Sequence, residues 1–170
     1  MEKNLEKIKL LILDVDGVMT DGRVTYDNFG DELKSFSILD GLGIKFLHDS
    51  GLKSVILTAR KSKIVTHRAR DINIKAVYAG FDKLSLYKKI LSKFKVKDEE
   101  VCFIGDDILD IAVLKRVGFS ACPPNAVEEV RGIVDHITNK KGGRGAVREV
   151  IELILKSKGL WDTVINKYST

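Results

Sequence analysis

Short apolar runs alternate with helix-like repeats along most of the chain. One helix face, with i, i+3, i+4, i+7 spacing, is formed by Tyr87, Ile90, Leu91 and Phe94. Further helices are predicted around Gly43 to Asp49, from Ile108 to Leu114 and from Gly143 to Lys156. Buried strands are predicted at residues 9–13, 53–57, 75–78, 101–104 and 119–122. This alternation predicts an α/β fold, in which helices flank a parallel sheet.

The segment from Arg23 to Phe36 departs from this alternation. Two short β-prone runs flank the turn-forming sequence Asp27-Asn28-Phe29-Gly30, which predicts a projecting β-hairpin over about residues 23–36. No linker or repeat divides the chain, so a single domain over residues 1–170 is expected. Its last parts are a glycine-rich segment with a helix at about 142–157 and a tail at 158–170 that carries no motif.

The composition narrows the classes of function. Hydrophobic residues make up 44% and charged residues 31% of the chain, as in soluble globular proteins, and the net charge of +5 is spread along the sequence. A nucleic-acid partner is not expected, because the basic residues form no single stripe. No apolar run approaches the roughly 20 residues of a membrane helix, and the first run is broken by Asp14. We therefore expect a cytoplasmic protein without a membrane partner, with Cys102 and Cys122 as buried free thiols.

Two carboxylates follow the first predicted strand. Asp14 and Asp16 lie where ligands bind in parallel sheets, beyond the carboxyl ends of the strands. One carboxylate can attack phosphorus, and a neighbouring one can protonate the leaving oxygen and then activate water. A structural turn or a calcium loop would also explain Asp-x-Asp-Gly. The calcium reading conflicts with the context, because an EF-hand loop needs more oxygen ligands and lies between two helices.

A second acidic group follows the fourth predicted strand, in the sequence Gly105-Asp106-Asp107-x-x-Asp110. Hard oxygen ligands suit Mg²⁺, and Asp14 with Asp106 could hold this ion. Asp107 and Asp110 fall in the first turn of the next helix, where negative charge is favourable in any protein. Helix capping and a supporting role beside the metal therefore both remain open for these two residues.

Two further residues complete the set of strand ends. Thr58 ends the second strand, where a hydroxyl can donate to a phosphate oxygen or simply cap the next helix. Lys83 follows the third strand, where it can bind phosphate or be an ordinary surface charge. Each is weak evidence alone, and both gain weight from their order along the chain.

This order of Asp-x-Asp, Thr, Lys and Gly-Asp-Asp-x-x-Asp resembles the haloacid dehalogenase phosphohydrolases. The resemblance spans the core of the chain and implies a Rossmann-like parallel fold and a Mg²⁺-dependent phosphatase. Residue by residue, it implies a nucleophile at Asp14, a general acid and base at Asp16, phosphate anchors at Thr58 and Lys83, metal contacts from Asp14, Asp106 and the backbone carbonyl of Asp16, and supporting acids at Asp107 and Asp110.

The spacing of these motifs leaves no room for a cap domain. Only 41 residues separate Asp16 from Thr58, and only 22 separate Lys83 from Asp106. The chain is similar to the capless group that hydrolyses 3-deoxy-D-manno-octulosonate (KDO) 8-phosphate, in the sequences at 14–22, 34–36, 40–44 and 142–149. That resemblance implies hydrolysis of a small phosphorylated sugar acid through an aspartyl phosphate on Asp14, in lipopolysaccharide precursor synthesis. It also implies a homotetramer in which the hairpin and the C-terminal segment help to close a neighbouring site.

Three arginines are candidates for substrate selection. Arg60, Arg144 and Arg148 could each pair with the carboxylate of a sugar acid, because a guanidinium group binds carboxylates through two parallel hydrogen bonds. The glycines around Arg144 could instead form a plain turn before the last helix. Two other functions stay open: a phosphatase for a nine-carbon sugar acid phosphate, and a non-catalytic tetramerisation module of the same fold. A mutase is disfavoured by the missing cap.

Overall fold

A six-stranded parallel sheet with helices on both faces forms the body of the protein. The computed structural model describes residues 5–169. The strands are β1 (Leu10–Leu13), β2 (Thr25–Tyr26), β3 (Glu32–Leu33), β4 (Lys53–Thr58), β5 (Val77–Ala79), β6 (Val101–Ile104), β7 (Phe119–Cys122) and β8 (His136–Ile137). The helices are α1 (Ile38–Asp49), α2 (Lys63–Asp71), α3 (Lys83–Phe94), α4 (Ile111–Leu114), α5 (Glu128–Arg131), α6 (Ala146–Ser157) and α7 (Trp161–Lys167). Short 3₁₀ turns lie at Leu5–Lys7, Asp98–Glu100 and Ile108–Asp110.

Strand β1 lies in the middle of the sheet, whose order is β5-β4-β1-β6-β7-β8. Its last residue, Leu13, is paired in parallel with Ile56 of β4 and with Ile104 of β6. Along the chain, the next strand of the sheet after β1 is placed on one side of it and later strands on the other. The loops that follow β1, β4 and β6 therefore separate at the carboxyl end of β1. Ligand sites in open α/β sheets form at such a point.

Both faces of β1 are buried, which explains its unbroken apolar sequence. Leu11 and Leu13 pack in the cluster that includes residues of α1 and α6, whereas Leu10 and Ile12 pack in the cluster that includes residues of α3 and α4. Side chains alternate between the two faces of a strand, so helices must cover both sides of this one. The position of the β1 carboxyl end is therefore fixed by packing on both sides.

A two-stranded hairpin projects from the loop after β1. Strands β2 and β3 pair only with each other, with Thr25 opposite Leu33 and Tyr26 opposite Glu32. The turn is closed by Asp27, whose Oδ1 accepts hydrogen bonds from the N–H groups of Phe29 (2.9 Å) and Asp31 (2.8 Å). The predicted hairpin is thus confirmed, although its paired strands are only two residues long.

The predicted α/β architecture is confirmed, and several boundaries differ from the expected ones. Helix α1 begins at Ile38 rather than near Gly43, because the Ser37 hydroxyl caps it by accepting the N–H of Asp40. Helix α6 begins at Ala146 rather than Gly143, since Gly143 and Gly145 both have positive φ angles, of 66° and 106°. Strand β5 is shifted to Val77–Ala79, and strand β8 and helix α7 were not predicted.

The residues between the motifs all belong to elements of the main domain and its hairpin. The hairpin, α1 and most of β4 lie between Asp16 and Thr58, and most of α3 with β6 lies between Lys83 and Asp106. Within residues 5–169 there is accordingly no cap domain, as the spacing predicted. None of the helices in this range is long and apolar enough to cross a membrane.

Candidate active site

The carboxyl ends of three neighbouring strands bring the main acidic and hydroxyl residues together. Asp14 follows β1, Thr58 ends β4 on one side of it, and Asp106 follows β6 on the other side. Asp14 is 6% exposed and Thr58 is 2% exposed, so both lie within the protein rather than on its surface. The Thr58 hydroxyl accepts the Arg60 N–H at 3.4 Å, which shapes the loop between β4 and α2.

Lys83, the first residue of α3, forms the buried centre of this edge. Its side chain is 3% exposed, and its Nζ lies 3.0 Å from Asp14 Oδ1 and donates to Asp110 Oδ1 at 2.6 Å. Burial alone would lower the pKa of this amine, but the carboxylates of Asp14 and Asp110 outweigh that effect and raise it. Lys83 is therefore a fixed positive charge beside Asp14 and not an ordinary surface lysine.

Asp110 connects Lys83 to the loop after β6. Its side chain is fully buried, and its Oδ2 accepts the N–H groups of Asp106 (3.0 Å) and Asp107 (3.2 Å). A Cβ atom on Gly105 would lie 2.6 Å from Asp110 Cγ, so only glycine fits at that position. These contacts join Asp110 to Lys83 and to the loop after β6, and its supporting role beside a metal stays a prediction. Asp107 differs, because its exposed carboxylate accepts the N–H of Ile108 at 2.7 Å and so caps the next turn.

Asp14 and Asp106 carry perturbed carboxyl groups. Burial, together with the neighbouring charge of Asp110, raises the pKa of Asp14 to about 6, although Lys83 opposes the shift. Burial and the charges of Asp14 and Asp110 raise the pKa of Asp106 to about 8. One oxygen of Asp106, Oδ1, is buried without a hydrogen-bond partner. Carboxylates that repel one another, with a buried oxygen of Asp106 that no donor contacts, form an environment that favours a bound cation.

The donor set fits a hard divalent cation. Carboxylate oxygens of Asp14, Asp106 and Asp110 lie within 4.8 Å of one another. Both oxygens of Asp110 already accept hydrogen bonds, so Asp14 and Asp106 are the two carboxylates better placed to hold an ion. One or two carboxylates, completed by water and substrate phosphate, are the usual protein ligands of Mg²⁺.

Asp16 lies at the mouth of the site and has its own lysine, which the sequence did not single out as a functional residue. Lys34 follows β3 of the hairpin; its ammonium donates to Asp16 Oδ1 and lies 3.0 Å from Glu32 Oε1. The Lys34 side chain is 1% exposed. Burial would lower its pKa, but the two carboxylates raise it. Arg60 extends this row of alternating charges, with Nη2 3.5 Å from Glu32 Oε1.

The glycine-rich segment packs backbone to backbone against the loop after β1. The Gly143 N–H donates to the Val18 carbonyl at 2.9 Å, and a Cβ atom on Gly142 would lie 1.7 Å from the Gly17 carbonyl oxygen. Asn125, a second residue that the sequence did not single out, bridges the two segments. Its amide donates to the Gly17 carbonyl (2.9 Å) and accepts the Gly142 N–H (2.8 Å). Gly142 and Gly143 therefore form a close backbone contact with the loop after β1. A simple turn before the last helix, the alternative interpretation of these glycines, would not require such a contact.

The three candidate arginines lie in different places. Arg60 is close to the hairpin and the mouth of the site, as described above. Arg144 is exposed and lines a cleft of about 540 Å³ together with Arg23 and Asn125. The structure does not bring Arg148 to the acidic residues. Its guanidinium lies over the rings of Phe46 (4.7 Å) and Trp161 (5.3 Å) and pairs with Glu152 at 2.8 Å.

The placement of Arg148 corrects the expectation that it selects the substrate from this site. It is in the first turn of α6, where its backbone N–H donates to Asp40 Oδ1 at 2.8 Å. Its guanidinium lies against Glu152 one turn further along α6 and against the two aromatic rings. Such stacking buries the aliphatic stem and satisfies the charge, so the contacts of Arg148 serve packing between α1, α6 and α7.

Comparisons with known proteins place this geometry in a family. The family profile described as haloacid dehalogenase-like hydrolase matches residues 55–151. The 3-deoxy-D-manno-octulosonate 8-phosphate phosphatase of Salmonella typhi is 40% identical over 158 residues, which are 92% of this chain and 84% of that protein. The protein of the same name from Yersinia pestis is 43% identical over 149 residues, 87% of this chain and 80% of that protein.

Solved structures agree with these sequence matches. A crystal structure of the phosphatase from Moraxella catarrhalis, in complex with a magnesium ion, a phosphate ion and a KDO molecule, matches with a TM-score of 0.95 and 38% identity. The match covers 98% of this chain and 96% of that one. The cobalt-bound phosphatase from Haemophilus influenzae matches with a TM-score of 0.88 and 38% identity over 92% of both chains.

Proposed function

This chain belongs to the haloacid dehalogenase-like hydrolases, and we propose that it hydrolyses 3-deoxy-D-manno-octulosonate 8-phosphate to KDO and phosphate. The observation that carries the proposal is Asp14, a buried carboxylate with a raised pKa between Lys83 and Asp106, at the carboxyl end of the central strand. Relatives that bear this activity match over almost the whole chain. The alternative of a non-catalytic tetramerisation module leaves this charge arrangement without a purpose.

The proposed reaction has two steps, both on Asp14. In the first, an Asp14 oxygen bonds to phosphorus while the bond from phosphorus to the sugar oxygen breaks, and Asp16 gives that oxygen a proton. In the second, Asp16 takes a proton from water as the water oxygen attacks phosphorus, which releases phosphate and restores Asp14. Lys83 holds the attacking carboxylate in place through its 3.0 Å contact and offers positive charge to the phosphoryl group.

Mg²⁺ is the cofactor that we propose, held by Asp14, Asp106 and the backbone carbonyl of Asp16. The support is the unpartnered Oδ1 of Asp106 and the close carboxylate oxygens of Asp14 and Asp106. When bound, the ion neutralises charge on the phosphoryl oxygens and lessens the repulsion that the attacking carboxylate meets. Asp110 and Lys83 fix the loop and the charge around it, and Asp107 contributes through capping.

We propose that Thr58 and Lys83 bind the phosphate of the substrate. Arginine side chains are proposed to bind its carboxylate. Thr58 and Lys83 lie at adjoining strand ends of the sheet beside Asp14. Arg60 and Arg144 lie on the segments after β4 and β8, two strands on opposite sides of β1 in the sheet. An arginine fork matches a carboxylate group in shape and charge. Arg148 is left out of this proposal, because its guanidinium is engaged by Phe46, Trp161 and Glu152.

We propose a homotetramer in which the hairpin lies at the interface. The hairpin pairs with no other strand, yet it exposes Tyr26 (62%), Phe29 (93%) and Leu33 (54%), and Ile38 at the start of α1 is 83% exposed. Apolar groups of this size on an isolated hairpin favour burial against another subunit. Light scattering at micromolar concentration should report about four times the 19.0 kDa chain mass, and a 19 kDa particle would contradict the proposal. We also propose a cytoplasmic location, in keeping with the free thiols of Cys102 and Cys122.

A phosphate-release assay over a panel of phosphorylated sugars tests the proposed substrate. KDO 8-phosphate should give the highest kcat/KM in the presence of Mg²⁺, above a nine-carbon sugar acid phosphate and above neutral hexose phosphates. A sugar with the same phosphate but an amide in place of the carboxylate is the matched control for the role of the arginines. A higher kcat/KM for the nine-carbon sugar acid phosphate would contradict KDO 8-phosphate as the substrate. No turnover of any ester would favour the non-catalytic module.

A further inference from the structure

We propose that Lys34 is a positioning residue for Asp16, so that the hairpin forms part of the active site of its own subunit. The inference rests on the proposed function, since it concerns the residue that moves the proton to and from the substrate. It assigns the hairpin a catalytic task that is separate from its proposed place in a subunit interface.

The contact between the hairpin and Asp16 is made by the ammonium group of Lys34. Lys34 lies 18 residues from Asp16 in sequence, directly after β3, and its ammonium donates to Asp16 Oδ1. The Lys34 side chain is 1% exposed, whereas Asp16 is 27% exposed. The lysine is thus the enclosed partner, and the carboxylate faces the open mouth of the site.

A second set of contacts fixes Lys34 itself. Its Nζ lies 3.0 Å from Glu32 Oε1, and the same oxygen lies 3.5 Å from Arg60 Nη2. Glu32 is paired with Tyr26 across the hairpin, so its backbone position depends on the turn. Asp16, Lys34, Glu32 and Arg60 therefore form a row of alternating charges that joins the loop after β1, the hairpin and the loop after β4.

This arrangement restricts the orientation of a partly exposed side chain. An aspartate at the mouth of a site can occupy several rotamers, and only one that reaches the leaving oxygen transfers a proton to it. A charge-assisted hydrogen bond to one oxygen holds the carboxylate and leaves the second oxygen for the substrate. Without Lys34, Asp16 spends less time in the productive orientation, so cleavage of an ester that needs the proton slows, while Asp14 keeps its position beside Lys83.

The test compares two phosphate esters that differ in their need for a proton. An alkyl ester such as KDO 8-phosphate releases a strongly basic alkoxide and needs the acid, whereas p-nitrophenyl phosphate releases a stable phenolate. The value of kcat/KM reports on steps up to cleavage of the ester bond. In Lys34→Met it should fall about ten- to a hundredfold for KDO 8-phosphate, the range of a weakened general acid, and by less than about threefold for p-nitrophenyl phosphate.

The ratio of the two values separates positioning from a loss of folded protein. A partly unfolded variant lowers both values equally, so a fall in the ratio identifies the proton transfer. Lys89→Met, the same change at an exposed position of α3, should leave the ratio unchanged. In an Asp16→Ala background, Lys34→Met should lower the ratio no further, because the residue through which it acts is gone.

Two outcomes overturn the inference in distinguishable ways, and a third concerns the substrate alone. An unchanged ratio in Lys34→Met, with a reduced ratio in Asp16→Ala, refutes the positioning role alone. An unchanged ratio in Asp16→Ala refutes the acid role of Asp16, and the inference fails with it. A failure to hydrolyse KDO 8-phosphate refutes the substrate assignment, and glycerol 2-phosphate then serves as the alkyl ester for the same comparison.

Discussion

Asp14 and Asp16 are two residues apart, and each contacts a buried lysine from a different part of the molecule. Lys83 belongs to α3, which packs on the sheet, and it contacts Asp14 and the fully buried Asp110. Lys34 belongs to the hairpin, whose strands pair only with each other. The proposed nucleophile, Asp14, is therefore held by the core of the domain, whereas Asp16, the proposed acid and base, is held by an appended element.

The difference separates two requirements of the same site. The core holds Asp14 wherever the domain is folded, because its neighbours Leu13, Ile56 and Ile104 are all fully buried. The hairpin is mostly exposed and makes few apolar contacts with the body, so it can lose order while the sheet stays intact. Phosphoryl transfer to Asp14 and proton transfer by Asp16 should thus respond differently to changes in the two regions.

The most severe change is expected at the core carboxylate. Asp14→Asn should reduce turnover of every phosphate ester by at least about a thousandfold, because an amide cannot form the acyl phosphate. Turnover should be followed by phosphate release, and circular dichroism should show that the fold persists. Asn is the closest match in shape to Asp, so near-normal rates in this variant would exclude Asp14 as the nucleophile.

Replacing the two lysines compares the regions in terms of stability. Lys83→Met leaves Asp14 and Asp110 without their buried cation and should lower the free energy of unfolding by about 3 kcal/mol. Lys34→Met leaves Asp16 and Glu32 without their lysine partner, but these two carboxylates are partly exposed to water, so the change should cost less than about 1 kcal/mol. Urea unfolding of both variants, with Lys89→Met as the exposed control, provides the comparison. Equal losses at positions 34 and 83 would contradict the distinction between core and hairpin.

A smaller effect is expected from pH and Mg²⁺. In the metal-free protein the pKa of Asp106 is raised to about 8 and that of Asp14 to about 6, so the folded state retains protons that the unfolded state has released. Stability from these groups is therefore present at low pH and is lost as pH rises from about 4 to about 8. A cation that replaces the protons should stabilise the protein more at pH 8 than at pH 5.

Thermal unfolding with and without Mg²⁺ measures this difference. The increase in Tm should be larger at pH 8, by several degrees, since each kcal/mol shifts Tm by about 2–4 °C for a chain of this size. Asp106→Asn, which removes the most strongly perturbed group, should reduce the dependence on pH. The same increase at both pH values would show that these carboxyl groups do not hold the ion.

The core half of the site was predictable from sequence, and the hairpin half was not. Strand ends are visible as apolar runs that stop at Asp14, Thr58 and Asp106, and a parallel sheet brings such ends together. The contact between Lys34 and Asp16 depends on how a short hairpin folds back, which periodicity does not encode. Strand β8 was missed because it has two residues, and α7 because it buries only Val164.

Side-chain direction was the other limit of the sequence. Arg144 and Arg148 lie in one glycine-rich stretch and looked equivalent, but α6 begins between them at Ala146. Arg148 is therefore fixed on a helix face, where its side chain contacts Phe46, Trp161 and Glu152. The fixed backbone approach of Gly142 to Gly17 likewise depends on distances that a sequence does not give.

The central position of β1 also determines when the protein becomes an enzyme during its synthesis. Leu13 pairs with Ile56 and Ile104, so more than half of the chain must be synthesised before β1, which precedes Asp14, has a neighbouring strand on both sides. Until then at least one edge of the apolar strand Leu10–Leu13 is open in the nascent polypeptide, where strand pairing with other chains competes with folding. Asp14, the proposed nucleophile, is translated early and positioned late, so a truncated product that ends before β6 contains Asp14 without the residues that surround it.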